Sequence, residues 1–111
     1  MASTTCYVLI ETRDPFESAE VDEMFELATR LAEHSAVSVY LVENGVMPLR
    51  ATSSAASTIT ALATRVTVLA DDFSLRQRAI GASDLVPGVA SASIDHLVEL
   101  ITTPGCKAMW H

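Results

Sequence analysis

Asp71, Asp72, Ser74, Arg76 and Arg78 follow one another directly behind the apolar run Val66–Ala70, and no other stretch of the chain gathers so many groups able to do chemistry. Paired carboxylates at the end of a strand can hold Mg²⁺ through oxygen ligands or present a phosphoacceptor. A hydroxyl at the start of the next helix can cap it, or meet an anion where unpaired N–H groups point outward. The two arginines either bind an oxyanion in the crevice or pair with acids on a neighbouring surface, and the residues alone leave both open. Each richer reading lacks a partner. A receiver-like Mg²⁺ site needs acids after the first strand, for which Glu11 and Asp14 are candidates, and a lysine after the last, whereas Lys107 precedes its strand. Ser74 stands in no G-x-S-x-G elbow and has no triad histidine. Loop solvation and helix capping are the ordinary alternatives for all of these residues.

The remaining reactive types are sparse. Cys6 lies in the first strand and reads as a small buried hydrophobe. Cys106, beside Lys107 after Pro104-Gly105, is the better nucleophile, because a neighbouring ammonium favours the thiolate, but it enters its strand at the amino end. Neither cysteine has metal-ligand spacing to His34, His96 or His111, and nothing suggests a disulfide framework. The three histidines form no catalytic pair in sequence. Four glycines and no Gly-rich cradle disfavour nucleotide cofactors, so no cofactor and no metal is expected.

The elements that must position these groups alternate. Cys6–Glu11 reads as a buried parallel strand. Asp14-Pro15-Phe16-Glu17 combines an N-cap acid, a proline and a glutamate three residues after the cap, which predicts a helix start. Val21, Met24, Phe25, Ala28, Leu31 and Ala32 then form its inward stripe, with Glu20, Glu23, Glu26 and Arg30 facing water. Val37–Val42 is the second strand, left through Glu43-Asn44-Gly45-Val46, where Asn44 and Gly45 offer tolerance of positive φ. Ala51–Thr64 is ambiguous, since Ile59, Leu62 and Ala63 make a weak helical stripe among hydroxyl residues that compete for backbone bonds. Val66–Ala70 is the third strand, a third helix runs from Ser74, and Val89–Ala92 is a short strand. Ser93 caps a last helix with Ile94, Leu97, Val98 and Ile101 inward, and Lys107–Trp110 closes the sheet. The alternation predicts a single α/β domain over 1–111, a three-layer α/β/α sandwich around a parallel sheet of about five strands. Its order is flavodoxin-like or Rossmann-like; in both, the loops after Glu11, Glu43 and Ala70 share one edge.

Half of the 111 residues are hydrophobic and 19% are charged, more apolar surface than a small monomer covers easily, so self-association is expected. A net charge of −7 repels a phosphate backbone and excludes nucleic acid as a partner. No run approaches the length of a membrane span or a signal-peptide core, which predicts a cytoplasmic protein.

Three segments resemble the DsrE/TusD family (DsrE, DsrF and DsrH) of sulfur-relay and sulfur-oxidation proteins. Glu43-Asn44-Gly45-Val46 resembles the family's acidic-Gly-Val segment. Asp71 to Ile80 resembles its Cys-x-x-Cys-x-x-x-Arg-Gly-Ile region, and the last helix with Cys106 to Trp110 resembles its closing helix and strand. Matching Arg78-Ala79-Ile80 to Arg-Gly-Ile puts Ser74 where the persulfide-carrying cysteine is expected and Asp71 where an accessory cysteine often stands. A hydroxyl cannot carry sulfane sulfur, because transfer needs a polarisable thiolate. The resemblance therefore implies a non-catalytic structural relative in sulfur metabolism, or one that binds a small anion or persulfide through Asp71, Asp72, Ser74, Arg76, Arg78, Asn44 and Gly45. The alternatives are a sulfurtransferase using Cys106 and a Mg²⁺-dependent receiver-like domain using Asp71 and Asp72. The resemblance also implies a homo-oligomer (dimer, trimer or hexamer), with other sulfur-relay proteins as further partners.

Overall fold

The computed structural model describes residues 5–111. Its strands β1 (Cys6–Glu11), β2 (Ala36–Leu41), β3 (Thr67–Asp71), β4 (Val89–Ala92) and β5 (Cys106–Trp110) pair in the order β4-β3-β2-β1-β5, all parallel. The chain steps outward from β1 to β4, then crosses back over the sheet to lay β5 on the far side of β1. The order reverses between β1 and β5, after an unbroken run of consecutive strands as in the Rossmann order; the flavodoxin order instead reverses between strands 1 and 3, right after the second strand.

That path decides which face each helix covers. Parallel crossovers share one hand, so connections running in one direction fall on one face and the returning one falls on the other. The helices α1 (Glu20–Leu31), α2 (Ala56–Ala63) and α3 (Asp72–Gln77) belong to the first set, and α4 (Ile94–Thr102) to the second. Alternation along the strands follows: Leu9, Val39, Leu41, Val68 and Ala70 pack with Val21, Phe25, Ile59, Leu62 and Leu75 in the larger core. Val8, Ile10, Tyr40 and Leu69 meet only Leu97 and a few half-buried neighbours. The layers are the expected α/β/α, but unequally filled. The inward stripe expected for α4 fails for this reason: Leu97 is buried, while Ile94, Val98 and Ile101 are 55%, 48% and 39% exposed. One helix lying over five strands has too few facing residues to cover.

Local signals also resolve differently from expectation. Asp14 does cap a turn, its carboxylate accepting from Phe16 N at 3.0 Å and its carbonyl from Glu17 N and Ser18 N. The turn closes without propagating, and α1 begins only at Glu20. The ambiguous segment after Ala51 becomes α2 from Ala56 onward. After β2 a 3-10 helix spans Glu43–Leu49, and the positive φ falls on Glu43 (+56°) rather than on Asn44 or Gly45. Gly45 is required by proximity instead, because a Cβ there would run into the Glu11 carbonyl. Among the described residues no helix is long and apolar enough to cross a membrane.

Ala79 carries the other positive φ of a non-glycine residue, +54°. A side chain in that region costs about 1–2 kcal/mol, partly offset by the lower chain entropy that alanine gives the unfolded state. Ala79→Gly is expected to stabilise the fold by about 0.5–1 kcal/mol, read as a higher urea midpoint at unchanged slope. An unchanged or lower midpoint would contradict strain at this position.

Candidate functional site

The carboxyl ends of β2 and β3 deliver the sequence-predicted residues to one place, but they are turned toward each other. Asp71, not Ser74, is the N-cap of α3; its Oδ2 accepts from Ser74 N at 2.9 Å and from Ser74 Oγ at 2.6 Å. Ser74 is the third residue of a helix that starts at Asp72. Its Oγ also accepts from Glu43 N at 2.9 Å, which ties the 3-10 helix after β2 to the start of α3. Asp71 Oδ1 accepts from the Tyr40 hydroxyl at 2.8 Å. Burial first, and then that bond to a carboxylate, push the Tyr40 hydroxyl far above its ordinary pKa, so it stays a donor. Ser74 is 2% exposed and Asp71 5%.

Both oxygens of Asp71 are therefore occupied inside the protein, and Asp72 faces solvent beside Arg76 at 3.7 Å. Among the described residues no group of three His, Cys, Asp or Glu side chains could hold a metal. The arginines resolve as internal partners. Arg76 pairs with Asp72 and lies over the Phe73 ring. Arg78 donates to Asn44 Oδ1 at 2.9 Å and to the Ser74 carbonyl at 3.2 Å, while its own carbonyl accepts from Arg50. Anion binding at Ser74 would require a hydroxyl that reaches solvent, and this one does not.

The cysteines correct a further expectation. Cys6 and Cys106 stand opposite each other in the β1–β5 register with Cα atoms 4.4 Å apart, joined as a disulfide. Cys106 presents no thiol in this state, and Cys6 is not a lone buried hydrophobe. Both lie at the amino ends of their strands. The length of β1 separates them from its carboxyl edge by roughly 17 Å at the usual rise per residue.

A second polar cluster sits at the carboxyl ends of β1 and β5, where the strand order reverses. Glu11 is 0% exposed. Its Oε1 lies 2.7 Å from His111 Nδ1 and its Oε2 accepts from Arg13 N at 3.0 Å, while His111 Nε2 lies 3.0 Å from Glu20 Oε2. The backbone of His111 is fixed as well, its N donating to Ile10 O and its carbonyl accepting from Thr12 N and Thr12 Oγ1. A histidine at the end of the chain gave no hint of this, because only the strand order sets it against Glu11. A glutamate closing an otherwise apolar strand was the one available signal.

The bonds to Glu11 and then Glu20 raise the His111 pKa, against burial and the nearby Arg13 charge. A raised folded value means that stabilisation by the imidazolium is complete below the unfolded value of 6.5 and is lost as pH rises through the higher folded one. Stability is thus expected to fall over that interval, and His111→Gln to flatten the slope in urea melts taken at stepped pH. An unaltered slope in the variant would contradict the assignment.

The family model described as DsrH like protein matches residues 13–104. Among solved structures, the ychN protein from E. coli superimposes with a TM-score of 0.83 at 17% identity, covering 97% of this chain and 100% of that one. The protein of unknown function MTH1491 from Methanobacterium thermoautotrophicum gives 0.78 at 22% identity, over 96% and 99%. The conserved protein of unknown function BT1422 from Bacteroides thetaiotaomicron gives 0.71 at 11% identity, over 100% and 98%. These likenesses concern the fold, and no curated protein matches the chain significantly. The family match spans α1 through α4, including the Asp71–Arg78 segment and the 3-10 turn that it grips, and on that match the chain belongs to the DsrH-like family.

Proposed function

We propose that this protein is a non-carrier member of a sulfur-relay system, shaping an assembly rather than holding sulfur itself. The observation that carries the reading is the Ser74 hydroxyl, which the resemblance aligns with the family's carrier cysteine: it is buried and is engaged by Asp71 and by the Glu43 amide. An oxygen so placed cross-links two loops and has neither the polarisability nor the access that persulfide transfer demands. The disulfide state of Cys6 and Cys106 supports the same reading, since it leaves no free cysteine.

The test is to incubate the oxidised protein with polysulfide and measure its intact mass without reductant. The proposal expects no gain of a sulfur atom. A stable gain that disappears in a Cys106→Ala variant would replace it with the sulfurtransferase reading. A cytoplasmic location is part of the proposal and sets a condition, because reductants there open most disulfides, so the Cys6–Cys106 bond must resist them.

Assembly with a second copy belongs to the same reading. β5 is an edge strand with Lys107, Ala108, Met109 and Trp110 exposed, and it lies next to α4, whose Ile94, Val98 and Ile101 are uncovered. A two-fold axis at this edge would pair β5 with its own copy and bury both apolar stripes, a self-complementary contact that also removes an open edge. Sedimentation velocity at micromolar concentration should read more than one copy, and Val98→Asp should shift it toward monomer. A purely monomeric wild type would overturn this part of the proposal.

A further inference from the structure

The reversal of strand order beside β1 has an occupant-sized space next to it. An open groove of about 280 Å³ lies between α1 and the end of β5, lined by Glu20, Glu23, Met24, Leu27, Met109, Trp110 and His111. Crevices at the carboxyl ends of strands, at a reversal of this kind, are where open α/β sheets receive small molecules. This groove shares no residue with the Ser74 cluster and does not depend on the sulfur-relay reading.

Its lining divides by chemistry. Met24, Leu27 and Met109 give an apolar wall fitted to a small hydrocarbon body. Glu20 and Glu23 are three apart on α1 and therefore neighbours on its surface. Glu20 is held by His111 Nε2 at 3.0 Å, and that ring is held in turn by the buried Glu11 at 2.7 Å. The chain of contacts fixes one carboxylate at the groove in advance of any ligand, which lowers the ordering cost of binding. Glu23 takes part in no ion pair among the described residues. Glu11, Glu20 and Glu23 outnumber the imidazolium and the nearby Arg13 charge together, so the groove stays negative even with His111 protonated. An anion is repelled there, and a neutral apolar molecule leaves the Glu23 carboxylate without an ion-pair partner.

We infer that this groove binds a small organic ammonium, its apolar body against Met24, Leu27 and Met109 and its charged head between Glu20 and Glu23. Benzylammonium chloride is a suitable probe, titrated into uniformly ¹⁵N-labelled protein near pH 7. Saturable amide shifts are expected at residues 20–27 and 109–111. Benzyl alcohol, of equal size without the charge, should bind at least about fivefold more weakly, and Glu23→Gln should weaken the ammonium by about fivefold, the scale of one exposed charge pair. Glu23 is exposed, so its variant should keep the wild-type unfolding midpoint. Absence of saturable shifts, equal binding of benzyl alcohol or benzoate, or an unchanged affinity in Glu23→Gln would each overturn the assignment.

Discussion

Replacing Asp71 by alanine is expected to cost about 4 kcal/mol of folding stability, the largest effect of any single substitution near the carboxyl edge. Asp71 accepts three hydrogen bonds: from the Tyr40 hydroxyl, the Ser74 amide and the Ser74 hydroxyl. All three donors lie in the interior, and among the described residues no buried side-chain polar atom lacks a partner. Alanine leaves the Ser74 amide and hydroxyl without the carboxylate and leaves the Tyr40 hydroxyl only the Ala92 carbonyl at 3.4 Å. Bonds to a carboxylate are the stronger kind, worth about 1.5–3 kcal/mol each against the net value for neutral pairs. Asp71→Asn keeps one acceptor oxygen for Tyr40 but turns an amide donor or a weaker acceptor toward Ser74, so about half the loss is expected. Urea melts followed by far-UV circular dichroism measure both. Equal, small losses in the two variants would show that the cluster is not the clasp between β2, β3 and α3 described above.

The second large effect concerns the bond between Cys6 and Cys106. It joins residues 100 apart in sequence, nearly the whole chain, and so restricts the unfolded state strongly. In the chain-entropy account, closing a loop of that order contributes about 4.7 kcal/mol, and measured values for native bridges fall at about 2–5 kcal/mol. Reduction, or the double variant Cys6→Ala with Cys106→Ala, should therefore lower stability by about 3 kcal/mol. The strand it secures is an edge strand, attached to the sheet through β1 alone. Hydrogen exchange should accordingly rise first in 106–110 when the bond is opened. Protection that is unchanged by reductant would mean that β5 is held by its backbone ladder and the His111 contacts.

How much of this could be read before the fold was known varies with the range of the interactions involved. β1, β2, β3 and β4 lie within a residue or two of expectation because short β-branched runs between turn residues are local signals. The start of α1 was misplaced because the Asp14-Pro15 signal is satisfied by a single turn, with nothing in the sequence to say that the helix waits until Glu20. The α4 stripe is a correct periodicity with an incorrect partner: the pattern shows an apolar face, but only the crossover path shows how little sheet remains for it to cover. The disulfide and the Glu11–His111 pair were invisible for a common reason. Each joins β1 to β5, and their adjacency is a property of strand order, which a single sequence does not contain.

The candidate site shows the same division. That Asp71, Ser74, Arg78, Asn44 and Gly45 meet at one edge follows from strand ends and turns, and the structure brings them together. Their orientation does not follow. Whether a hydroxyl faces a crevice or a neighbouring loop depends on where Glu43 places its amide, and that is set by a positive φ that no residue preference announces. Ala79 is the complementary case. Its backbone is left-handed, a conformation that glycine adopts at no steric cost, yet alanine stands there and nothing local in the sequence announces it.

The central proposal, that Ser74 is a closed, structural position rather than a sulfur-carrying one, is tested most directly by Ser74→Cys. A cysteine introduced there, with Cys6 and Cys106 kept oxidised, is the only free thiol, and its reaction with a chromogenic disulfide reagent can be timed in the native and urea-unfolded protein. The account predicts native labelling slower by on the order of a hundredfold, since it must wait for local opening. Labelling of the native protein at the unfolded rate, accompanied by uptake of sulfur from polysulfide, would contradict it.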